Sequence, residues 1–109
     1  MTDKIKKVNN LEELDKLSPG NKVNLIYFES NEENGIYVFE KRIKREYHFI
    51  EFYPLVMNIH KLNKENIKFK DGMIQAKNQN KIIWGEFYNI GTKGYKQRLN
   101  ICKKAGVVW

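Results

Sequence analysis

Ile67-Lys68-Phe69-Lys70-Asp71-Gly72-Met73-Ile74-Gln75-Ala76 decides the fold class of this chain. Its flanks alternate around an Asp-Gly pair, the dipeptide best suited to the left-handed backbone of a two-residue hairpin turn. The resulting register pairs Phe69 with Ile74 and Ile67 with Ala76 on a buried face. Lys68, Lys70 and Gln75 then share the wet face.

The same signals recur on either side. Val23, Leu25, Ile26, Tyr27 and Phe28 make Lys22–Glu29 apolar enough for a strand buried on both faces. Asn31-Glu32-Glu33-Asn34-Gly35 is a polar loop, so the chain from Ile36 returns antiparallel. Asn78-Gln79-Asn80 marks a turn into a strand over Lys81–Ile90, where Gly85 indicates a bulge or a close backbone approach. Gly91-Thr92-Lys93-Gly94 reads as a hairpin turn rather than a phosphate cradle. Tyr95, Gln97, Leu99 and Ile101 then alternate with Lys96, Arg98 and Asn100 as a half-buried strand with a cationic outer row. Ala105-Gly106 precedes a short run, Val107-Val108-Trp109.

One helix is expected. Asn10 is a good N-cap, Glu13 stands at the capping-box position, and Leu11, Leu14 and Leu17 form a stripe. Ser18-Pro19-Gly20 stops it. Residues 36–53 contain no Gly, Pro, Asn or Asp, so two readings compete there. Phe39, Ile43, Tyr47 and Ile50 fall at helical spacing, whereas the crowding of Tyr and Phe over 47–53 favours two strands joined by a basic turn at Arg42–Arg45.

The expectation is a mainly β, single-domain protein, with a β-rich α+β form as its variant. Residues 1–20 are an arm and short helix, and 21–109 hold six to eight antiparallel strands in a small twisted sheet or barrel. At 109 residues, with six Phe, six Tyr and two Trp, the chain can bury a core without staples. Tyr27, Phe28, Phe49, Phe52, Trp84 and Phe87 belong to that core. Tyr53, Tyr88 and Trp109, near strand ends, are candidates for a protein-binding patch or a base-stacking platform.

Charge carries what the sequence says about partners. Residues 1–40 hold five Lys against eight acids, while residues 41–109 hold fifteen Lys or Arg against five. From Phe87 to Trp109 there are five cations and no carboxylate. Such a distribution concentrates polyanions near the surface. The candidate contacts are Lys41, Arg42, Lys44 and Arg45 with Tyr47 as a stacking ring, then Lys93, Lys96, Arg98, Lys103 and Lys104. Lys, Asn and Ile have AT-rich codons, and their abundance points to a low-GC bacterium, its phage or its plasmid.

The leading expectation is a non-enzymatic module that contacts RNA or DNA. The alternative is a phage- or plasmid-encoded accessory protein that inhibits or bridges a host protein or nucleoprotein complex, its basic face occupying an acidic surface or the nucleic-acid channel rim of that host partner. His48 is expected on a sheet and His60 in a loop, neither beside a nucleophile or carboxylate pair, so no catalytic residue is assigned. Cys102, the one cysteine, reads as a small residue at a strand end. One cysteine and two histidines give no metal-ligand spacing, and no cofactor motif is present. No segment reads as a membrane span, and a cytoplasmic setting is expected.

Overall fold

The computed structural model describes residues 5–27, 35–53, 55–76 and 86–107. In chain order these form β1 (Ile5–Lys6), α1 (Leu11–Asp15), β2 (Lys22–Tyr27), β3 (Gly35–Ile43), β4 (Glu46–Tyr53), β5 (Val56–Asn63), β6 (Ile67–Lys70), β7 (Met73–Ala76), β8 (Glu86–Asn89) and α2 (Lys93–Ala105). The strands build one open sheet in the order β6-β7-β2-β3-β4-β5-β8, with β1 also on β2. From β2 through β5 it is an antiparallel meander.

The hairpin over 67–76 forms in the expected register, with Asp71 and Gly72 both at positive φ. Ile67, Ile74 and Ala76 are buried, Phe69 is half-buried, and Lys68 and Lys70 are exposed. Its position in the sheet departs from an all-antiparallel arrangement. β7 lies parallel to β2, with Leu25 opposite Ile74, and β1 lies parallel to the start of the same strand. The two share one edge of β2, joined where the Val8 N–H donates to the Gly72 carbonyl at 2.9 Å. Local periodicity carries no information about such a distant pairing.

Residues 36–53 form a hairpin, β3 and β4, turning at Lys44-Arg45. Lys44 takes φ +56, a conformation that costs an L-residue roughly 1–2 kcal/mol. Between Phe39 and Lys41 the register shifts by one residue, a bulge that turns both Glu40 and Lys41 toward the same face.

Alternation along the strands gives two cores. The first face carries Val23, Leu25, Tyr37, Phe39, Tyr47, Phe49, Leu62, Ile67, Ile74 and Ala76, closed by Val8 and by Leu14 of α1. The cap of α1 is as expected: Asn10 Oδ1 accepts from the Glu13 N–H, and Glu13 Oε1 accepts from the Asn9 N–H. The second face carries Val38, Ile50, Met57 and Ile59, covered by Tyr95, Cys102 and Ala105 of α2. Each fully buried large aliphatic or aromatic side chain contributes about 1.5–3 kcal/mol.

The largest correction lies at 91–105. Gly91–Gly94 is not a hairpin turn and Tyr95–Ile101 is not a strand, because they lead into and form α2. Thr92 is its N-cap, with Oγ1 accepting from the Tyr95 N–H at 3.4 Å, and Gly106 ends it at φ +78. Tyr95, Cys102 and Ala105 are spaced for one helical face, and a helix places all three on the apolar second face at once. Gly94 allows the close docking, since a Cβ there would lie 2.0 Å from the Tyr88 ring.

Two smaller corrections follow from this topology. Cys102 is in a helix rather than at a strand end, and His60 is inside β5 rather than in a loop. Phe49 is buried and Phe52 packs against the second core, as expected, while Tyr53 is exposed and Tyr88 half-buried. The expectations for the 31–34 loop, the 78–80 turn, Gly85, Val108, Trp109 and the side chains of Tyr27, Phe28, Trp84 and Phe87 lie outside the described residues.

Candidate nucleic-acid interface

The sheet sorts the cations of the sequence into engaged and outward-facing groups. Arg42 pairs with Tyr47 across the first face and reaches α1, its Nη1 lying 3.1 Å from Asp15 Oδ1. Arg45 lies 2.9 Å from Glu65. The acidic N-terminal helix thus neutralises part of the basic turn, and of that turn only Lys41 is directed to the second face.

Tyr47 cannot act as a stacking ring, because it is 0% exposed and belongs to the first core. Its hydroxyl donates to Asp15 Oδ1 at 2.6 Å, and burial together with that carboxylate pushes its pKa up to about 12.

Arg98 is also removed from the surface. Its side chain is 13% exposed and Glu40's is 8%, with Nε 2.8 Å from Glu40 Oε2. The N–H is not aligned for a directional hydrogen bond, so the pair is held by charge, and Glu40 Oε1 has no partner. The guanidinium also covers the Tyr88 ring at 4.3 Å, and Nη1 donates to the Gly94 carbonyl. This arrangement fixes α2 against rotation about its own axis.

With Arg98, Tyr95, Leu99, Ile101, Cys102 and Ala105 directed inward or partly covered, the exposed side chains of α2 are Lys93, Lys96, Gln97, Asn100, Lys103 and Lys104. At 100° per residue all six fall within an arc of about 120°. The outer face is therefore four ammonium groups and two carboxamides, with no carboxylate on the helix. The same side of the sheet carries the row Lys41–His48–Lys61, directly opposite one another on β3, β4 and β5. Both lysines are exposed, and His48 is buried with Nε2 3.2 Å from Glu46 Oε1. Lys61 was not among the sequence candidates, and only the cross-strand register brings it to this surface. Lys44 is exposed at the hairpin tip.

A second polar cluster interrupts the first face. Glu51 Oε1 accepts from Asn58 Nδ2 at 3.1 Å and from His60 Nε2 at 3.0 Å, and Oε2 accepts from the Tyr53 hydroxyl at 2.8 Å. Burial works to raise the Glu51 pKa, but these bonds outweigh it and hold the carboxyl below its ordinary value. An ionised carboxylate only accepts, so Nε2 is the protonated nitrogen of His60. The Tyr37 ring stands edge-on to that imidazole at 4.7 Å. His60 therefore has one carboxylate, Glu51, beside it, and its imidazole is fully buried. The signal was cross-strand pairing of 49 with 60 and 51 with 58.

Cys102 is buried, and burial with the nearby Glu40 charge pushes its thiol up to about 12, so it is no nucleophile at neutral pH. Among the described residues no three His, Cys, Asp or Glu are grouped to hold a metal ion. No described helix is long and apolar enough to cross a membrane. The chain matches no family model, no curated protein and no solved structure.

Proposed function

We propose that this chain is a nucleic-acid-binding module that takes the phosphate backbone on the second face of its sheet. The contacts are Lys93, Lys96, Lys103 and Lys104 of α2, supplemented by Lys41. The observation that carries this is the outer arc of α2, all ammonium and carboxamide, backed by a core in which the nearest buried carboxylate, Glu40, is already paired with Arg98. Several cations on one rigid element can neutralise several phosphates without ordering a loop first, which favours binding. Arg98 and Tyr47, candidates in the sequence, are assigned instead to holding the fold, and Arg42 and Arg45 are engaged in exposed ion pairs with Asp15 and Glu65. A cytoplasmic setting is consistent with the single free, buried thiol.

The test is replacement of Lys93, Lys96, Lys103 and Lys104 by Gln. All four are exposed, so the thermal midpoint should stay within a few degrees while affinity for nucleic acid falls by at least a hundredfold at low salt. Unchanged affinity in that variant would reject this surface.

A second reading has its own observation. Tyr53, Leu55 and Ile90 are all exposed, and the Ile90 N–H donates to the Leu55 carbonyl at 2.9 Å, so two of them adjoin. Exposed apolar groups of this kind fit a protein contact, as an accessory protein that inhibits or bridges a host complex would need. Loss of partner capture on Leu55→Ser with Ile90→Ser, and not on the lysine replacements, would favour it.

A further inference from the structure

Resting on the nucleic-acid reading, we infer that α2 enters the major groove of B-form DNA, with Gln97 and Asn100 on adenine edges between lysines that hold the flanking phosphates. The order of side chains along the exposed arc carries the argument. Lys93, Gln97, Asn100 and Lys104, spaced 4, 3 and 4 residues apart, form one row along the helix. Lys96 and Lys103 flank that row on one side. Lysines stand at both ends and carboxamides in the middle.

The dimensions fit. A helix about 10–12 Å across lies lengthwise in a major groove about 12 Å wide, with Lys93 and Lys104 about 16 Å apart along it. The groove curves away from the straight helix, so the terminal lysines swing toward the phosphates while the central carboxamides stay over the base edges. Gln97 and Asn100 are about 4.5 Å apart along the axis, close to the 3.4 Å rise of neighbouring base pairs.

The chemistry fits as well. A carboxamide offers one donor and one acceptor side by side, and adenine presents N7 as acceptor and the N6 amino group as donor in the major groove. Rigid presentation is supplied from behind, where Tyr95, Cys102 and Ala105 seat α2 in the second core and Arg98 is tethered to Glu40. The major groove of A-form RNA is too deep and narrow to admit side chains, so the inference selects DNA.

The experiment measures affinity by fluorescence anisotropy at fixed salt for equal-length probes: an A·T-containing DNA duplex, a G·C-only DNA duplex, the A·T duplex with 7-deazaadenine, an RNA duplex and single-stranded DNA. Wild type should prefer the A·T duplex by about tenfold. Removing N7 leaves the minor groove unaltered and should abolish that preference. Gln97→Ala with Asn100→Ala should bring the A·T to G·C ratio near one. Equal binding of all DNA duplexes, indifference to 7-deazaadenine, or equal or tighter binding of the RNA duplex or the single strand would overturn the inference while leaving the backbone reading intact. Binding of no probe would overturn both.

Discussion

Arg98→Met tests the orientation of α2 on which the interface depends. The Arg98 and Glu40 side chains are nearly closed off from water and their charges are 2.8 Å apart. Removing one partner of such a pair leaves the other charge buried and unpaired, which costs about 3–5 kcal/mol. With a urea dependence of about 1.5 kcal/mol per molar, the unfolding midpoint should fall by roughly 2–3 M. The double variant Arg98→Met with Glu40→Leu removes both charges and keeps apolar volume. Because Glu40 Oε1 has no hydrogen bond to lose, the double variant should recover to within about 1 kcal/mol of wild type. The assay is equilibrium urea unfolding of wild type, Arg98→Met, Glu40→Leu and the double variant by tryptophan fluorescence and far-UV circular dichroism. A single Arg98→Met cost below about 1 kcal/mol, or costs that simply add, would mean Arg98 faces solvent. The exposed arc of α2 would then be a different one.

Two further predictions concern titration. Glu51 has a folded pKa below its ordinary value, so it stabilises the fold above the unfolded glutamate range near 4.5. That stabilisation is lost as pH falls through the lower folded value, and Glu51→Gln should therefore flatten acid unfolding below about pH 4.5, measured by circular dichroism; an unchanged acid limb would contradict the bonding described around Glu51. Cys102, with a thiol raised to about 12, contributes stability that is complete below its ordinary value of 9.0 and lost as pH rises toward the folded one. At neutral pH it should react with a disulfide reagent only on unfolding, and rapid labelling of the native protein would show that α2 does not cover it.

The hairpin over 67–76 was legible because its turn chemistry and alternation agree within ten residues. The cap of α1 was legible for the same local reason. The β3–β4 hairpin was half-legible, since aromatic density outweighed a helical spacing that the structure does not use. What failed was tertiary. Tyr95–Ile101 alternates polar and apolar, but the second face needed covering, and Tyr95, Cys102 and Ala105 cover it only from a helix. The Thr92 cap, Gly106 and the two closing lysines were signals for that helix and were outweighed by the short alternation.

The basic cluster was visible in the sequence, while its sorting was not. Arg42 and Arg45 are held by Asp15 and Glu65, twenty or more residues away in each case, and Arg98 by Glu40 from the far side of the chain. Composition gives the number of charges, and only the sheet order tells which ones face outward. The parallel placement of β7 beside β2 and the convergence of Asn58, His60 and Tyr53 on Glu51 were hidden for the same reason, because each depends on register between strands.

The most direct test of the central claim is the salt dependence of nucleic-acid affinity. Five lysines on the second face, each neutralising one phosphate of a DNA duplex, give a slope near −4.5 in log K against log salt, or about a 500-fold loss between 50 and 200 mM. Replacing the four α2 lysines with Gln should reduce that slope to about −0.9. A wild-type affinity that does not change over this range, or a slope that the four replacements leave intact, would contradict the account.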